Sequence, residues 1–209
     1  MTEPIDKMNV SKKDSNMLSL EEKFPDQIAT PHEITNLKDL LAGWRSIRSV
    51  LLEILNTIND IDFTQPSASG GWNAGQNAEH LFKTQYSLAR MIPSVMQGKS
   101  SVDRDQLKKL PYQSLFRRAS EPGKAKNPDI VSPDEPNQKW TKTYSIERLG
   151  HSMNRLEDAV QNSATSIIEL LADGAPHPIF GPISLADWTY VLSAHEIAHG
   201  KSLARKYNV

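Results

Sequence analysis

Four stretches of this 209-residue chain carry apolar side chains at every third or fourth position. That period marks a helix with one buried face, and it restricts the chain to helix-on-helix packing. The first stretch runs from about Asn36 to Asp60, with Leu37, Leu40, Leu41, Trp44, Ile47, Leu51, Ile54, Leu55 and Ile58 on one stripe. Pro66, Gly70 and Gly71 then break it. The second begins after Asn73, a good cap for the free backbone donors of a first turn. It continues to about Gln97, with a kink expected at Pro93. The third covers about 145–172, capped by Ser145 and closed by Asp173 and Gly174. The fourth runs from Ser184 to about Lys206, with Asp187 as the acid of its first turn.

Between the second and third stretches lies a connector, 98–142, that holds five of the thirteen prolines. Connections of this length are usually functional or mobile. A short helix is expected in it at 103–110 or 112–118. No strand pattern is visible. The expected architecture is all-α: an up-down four-helix bundle with a long connector between helices two and three. Residues 1–34 are polar, with Pro4, Pro25 and Pro31, and read as a flexible N-terminal arm with a short helix at 18–24. The bundle domain then occupies 35–209.

Composition narrows the chemistry. The chain has no cysteine, so disulfides, thiolate ligands and a cysteine nucleophile are excluded, and any metal site must use nitrogen and oxygen. A formal net charge of -1 gives no reason to expect nucleic acid or an anionic membrane as partner. No apolar run reaches the roughly 18–20 residues of a membrane helix, and the start of the chain lacks an apolar leader. A soluble, cytoplasmic protein is the expectation.

His195 and His199 are the sharpest local feature. Four residues apart on a helix, they lie one above the other. They share a stripe with Trp188, Val191, Leu192 and Leu203, so both point into the bundle. Two inward imidazoles need partners, since a buried unpaired polar group costs about 1–3 kcal/mol. One divalent metal satisfies both; so do hydrogen bonds to neighbouring side chains or water. A catalytic metal usually takes three protein ligands and leaves one position open. His80, on the second helix, is the candidate third ligand. It sits beside the apolar stripe of Ala78, Leu81, Leu88 and Ile92, above Thr84 and Ser87, and periodicity places it toward either a cleft or solvent.

The string from His195 to His199 also fits the H-E-x-x-H pattern of zinc peptidases. That chemistry needs a further ligand downstream, and no His, Asp or Glu follows His199. Glu196 stands as a candidate acid or base beside the metal, or as a surface glutamate. Among the other histidines, His151 is expected on the surface, His177 in a packing role in a Pro-rich loop, and His32 in the arm. Trp72 and Trp188 read as core anchors that fix helix starts. Lys108, Lys109, Arg117, Arg118, Lys124 and Lys126 make the connector locally basic, which reads as a solvated loop or as an anion-binding lid.

Two blocks of residues resemble a known family. Gly71-Trp72-Asn73-Ala74-Gly75-Gln76, followed by Ala78-Glu79-His80-Leu81, is similar to the start of helix two in the DinB/YfiT-like metalloenzymes. The run from His177 to Ser184, then Asp187-Trp188 and the His195/His199 pair, resembles their last helix and the loop before it. The resemblance covers about 36–206. It implies a four-helix bundle and a three-histidine site for a divalent metal, usually zinc or nickel, with His80 as the helix-two ligand. It further implies an enzyme that activates a low-molecular-weight thiol cosubstrate, or water, for S-transfer or hydrolysis of a small molecule, and a homodimer. The alternative is a non-enzymatic helical dimerisation or binding module whose metal is structural or absent.

Overall fold

The computed structural model describes residues 19–99, 102–119 and 129–209. Its long helices are α1 (Leu37–Thr57), α3 (Ala74–Met96), α5 (Lys142–Ser163) and α7 (Leu185–Tyr207). Shorter ones are α2 (Ile61–Thr64), α4 (Tyr112–Ala119) and α6 (Ile167–Ala172), and β1 (Gly174–His177) and β2 (Gly181–Ser184) form an antiparallel hairpin. The molecule is an all-α bundle with one small two-stranded sheet. Among the described residues, no helix is long and apolar enough to cross a membrane.

The helix starts follow local chemistry. Asn36, Asn73 and Ser184 each accept a hydrogen bond from the backbone of the residue three positions on. Asn73 and Gln76 form a reciprocal capping box.

Packing sets the directions of the helices. Arg45 reaches Glu157 and Arg48 reaches the Leu149 carbonyl, so α1 and α5 run antiparallel. Arg148 lies over the Phe82 ring and Ser152 bonds Gln85, so α3 and α5 run parallel. Lys206 bonds Trp72 while His195 meets His80, which makes α3 and α7 antiparallel. The order of directions is therefore up, down, down, up. Parallel neighbours need a long return path, and the connector supplies it by carrying the chain back along the bundle. Connector helix α4 sits on α7, where Tyr112 donates to Asp187 at 2.6 Å.

Four features differ from the sequence reading. The bundle is all-α as expected, but its helices do not alternate up and down, because α3 and α5 are parallel. The third helix is capped by Thr141, with Ser145 buried one turn inside it, and it stops at Ser163. Ser166 then caps a separate α6. The periodicity spans this break because Val160, Ile167 and Leu170 all stay buried. The hairpin was not expected, because each strand is four residues long and contains a proline. The expected arm divides: its first eighteen residues lie outside the described ones, whereas Phe24 is buried against α7 at Gly200.

A small apolar cluster of Leu110, Leu115, Ile183 and Tyr190 joins the connector to α7, and the main core between the long helices is two apolar halves. One gathers Leu40, Leu41, Trp44, Ile92, Leu156 and Leu185, the other Ile54, Leu55, Ala78, Leu149, Ile197 and Leu203. A polar layer lies between them. Arg48 donates from Nε to Glu196 Oε1 (2.6 Å), and from Nη2 to Glu196 Oε2 (2.8 Å) and Gln85 Oε1 (2.9 Å).

Candidate metal centre

α7 presents His195 and His199 on one face, and α3 presents His80 opposite them. His80 Nε2 lies 3.0 Å from His195 Nε2, and His199 Nε2 lies 3.1 Å from the same atom. One ligand atom from each of the three residues falls within 4.8 Å of the others. His80 is buried, and His195 and His199 are part-buried as whole residues. Periodicity left His80 between cleft and solvent; the structure turns it inward.

The outer nitrogens fix the tautomers. His80 Nδ1 stands 2.7 Å from the carbonyl oxygen of Val131. A carbonyl only accepts, so Nδ1 carries the proton and Nε2 a lone pair. Asn77 Nδ2 donates to the Asn73 carbonyl (2.8 Å) and the Trp72 carbonyl (3.3 Å). That turns Asn77 Oδ1 toward His199 Nδ1 at 2.7 Å, and again Nδ1 holds the proton. Two lone pairs thus face His195 Nε2. The opposite nitrogen of that ring, Nδ1, is buried without a hydrogen-bond partner.

These residues fit a metal ion. A proton on His195 Nε2 satisfies only one of the two facing lone pairs and leaves Nδ1 a bare acceptor. A proton on Nδ1 brings three lone pairs together. A divalent cation takes up all three lone pairs at once, and His195 Nδ1 then carries the proton without a partner. With metal–nitrogen bonds of about 2.0–2.1 Å, tetrahedral ligands stand about 3.3 Å apart, close to the spacings found. Hydrogen bonds from the outer ring nitrogens are the usual means of orienting metal-binding histidines.

Burial favours the neutral rings that metal binding requires. It lowers His80, although the Val131 carbonyl works the other way. Burial, then the neighbouring imidazoles, holds His195 well below the ordinary histidine range. Burial and His80 bring His199 down to about 3.

A model of the DinB superfamily matches residues 44–203. The chain belongs to the DinB superfamily. No curated protein and no solved structure matches it. The histidine triad and the family together fit a metal-binding DinB-like protein.

The other candidates of this DinB-superfamily chain are placed differently. Glu196 is not on the surface: it is buried, and Arg48 engages both of its oxygens. Trp72 does more than fix a helix start. Its ring lies 4.9 Å from His80 and 6.1 Å from His199, nearly parallel to the latter. Trp188 anchors the hairpin by donating to the Ala175 carbonyl. His177 packs 4.4 Å from Trp188, and its Nδ1 accepts from the backbone of Ile179 and Phe180. His151 and His32 are exposed. Of the basic connector residues, Lys124, Lys126 and the side chain of Arg118 lie outside the described ones.

Sequence reasoning missed Asn77 and Val131. Asn77 carries a readable signal, a polar side chain three residues before His80 and next to the buried Ala78. Val131 contributes only its carbonyl, which every residue has.

Proposed function

We propose that this chain is a metal-dependent enzyme in which His80, His195 and His199 hold one divalent ion, zinc or nickel, and leave a position open for a small molecule. The convergence of three Nε2 atoms from two facing helices carries this reading. When bound, such an ion lowers the pKa of a coordinated water or thiol and makes a nucleophile near neutral pH.

The protein's own residues supply orientation and shielding. Val131 and Asn77 hold two rings with their lone pairs inward. Trp72 packs against two of the ligands and limits access from its side. Glu196 is tied to Arg48, which removes the carboxylate next to His195 in the sequence from general-base duty. That favours an external low-molecular-weight thiol over water, because a thiol of ordinary pKa about 8.5 needs no base once coordinated. The chain has no cysteine to serve instead.

The test is an assay of metal-loaded protein with electrophiles and several cellular thiols, beside His195→Ala. Thiol-dependent turnover that the variant lacks supports transferase chemistry. Equal rates with both proteins for every thiol rule it out. Turnover without thiol moves the reading to hydrolysis.

A further inference from the structure

The geometry points to Lys206 as a positioning residue for the metal centre, an inference that rests on the metal-centre reading above. Lys206 stands seven residues beyond His199 and eleven beyond His195 on α7, so the three share one helix face. It is about 10 Å further along the axis than His199. There its Nζ donates to the carbonyls of Gly70 and Trp72, both at 2.8 Å.

Those carbonyls belong to the turn that delivers Trp72 to the histidines. Gly70 and Gly71 have φ of +77° and +65°, a left-handed pair that side chains rarely adopt. Glycine makes the turn available but does not hold it, and neither residue packs a side chain. Gly70 N–H bonds the Ser67 carbonyl within the turn (3.0 Å) and Asn73 Nδ2 bonds the Gln65 carbonyl (2.8 Å), while the ammonium ties the turn to α7. Two carbonyl acceptors also suit a group with three donors and no acceptor. Burial lowers the Lys206 pKa, while Asp62 supports the charge.

The Trp72 carbonyl is the shared point. It accepts from Lys206 Nζ and from Asn77 Nδ2, and the Asn77 oxygen in turn accepts from His199 Nδ1. The Trp72 ring also lies against His80 and His199. Lys206 thus acts on the ligands along two routes, one through the Asn77 amide and one through the indole. Its hydrogen bonds go to the Gly70 and Trp72 carbonyls and not to the three histidines.

Cobalt(II) titration of the full chain, followed by its visible absorption bands, tests this. Lys206→Met is expected to keep the far-ultraviolet helix signal, to weaken cobalt affinity about 3–10-fold, and to shift the bands. That is less than the 10–100-fold typical of a direct partner of a ligand. Lys206→Arg, which retains cationic donors, is expected to recover part of the loss. Unchanged affinity and bands in Lys206→Met, even with a lower melting temperature, overturn the inference, because Lys206 then serves the fold alone. If Lys206→Met does not fold, Lys206→Gln carries the same reading, since a shorter neutral amide cannot span both carbonyls. A wild-type chain that takes up no cobalt overturns the metal-centre reading itself, a result distinct from equal affinities.

Discussion

Arg48 and Glu196 face each other inside the bundle through two hydrogen bonds of 2.6 and 2.8 Å, with 4% and 5% of their surfaces exposed. Breaking a buried pair strands the surviving charge at a cost of about 3–5 kcal/mol. Arg48→Ala is expected to lose that much in urea unfolding. Replacing both partners by methionine is expected to restore most of it, because neither charge is then left alone. Equal losses in the single and double variants would contradict this.

Asn77 links the cap of α3 to His199. Asn77→Ala removes the acceptor at Nδ1, and the ring is then free to turn or to swap its proton to Nε2. Metal affinity is expected to fall about 10–100-fold, with the histidine ligands intact. Isothermal titration with zinc measures it.

The buried histidines make the metal-free protein sensitive to acid. His177 is held down to about 4 and His199 to about 3, both by burial first. The unfolded chain binds these protons near the ordinary value of about 6.5. Below that pH the unfolded state therefore holds more protons than the folded one, and stability falls as pH falls. Above it the two states are equally neutral and the slope vanishes. Each fully titrating group contributes up to about 1.4 kcal/mol per pH unit, less for His177 near its more open turn. Urea midpoints between pH 8 and 4 are expected to be flat at first and then to decline. A midpoint that rises on acidification would contradict the burial of these rings.

Phe24 docks the segment 19–34 onto α7 at Gly200. Phe24→Ala is expected to cost about 3 kcal/mol and to open this segment to proteolysis. Unchanged cleavage rates within 19–34 would show that the ring does not hold it.

The parts of this fold readable in the sequence are those governed by neighbours in the chain. Asn73 and Ser184 announce their helices because a cap bonds only three residues on. The pairing of His195 with His199 follows from helix pitch. What escapes is decided across the bundle. His80 looks peripheral because Thr84 and Ser87 sit beneath it, yet the connector closes over that flank and Val131 reaches its ring. Glu196 looks like a surface residue until Arg48 is placed opposite. Arg48 itself falls on the buried face of α1 between Trp44 and Leu51, and an arginine there is the readable sign of a buried acid elsewhere. Among the described residues the hairpin's two strands form a sheet without a third strand, and their prolines hide it from any strand pattern.

Elemental analysis of gently purified protein bears most directly on the convergence of the three imidazoles. About one equivalent of a divalent metal per chain is expected, with near-complete loss in His80→Ala and in His195→Ala. A wild-type chain free of metal, and unable to bind zinc, cobalt or nickel on titration, would contradict the metal centre. Full occupancy that survives His80→Ala would contradict the role of α3 in it.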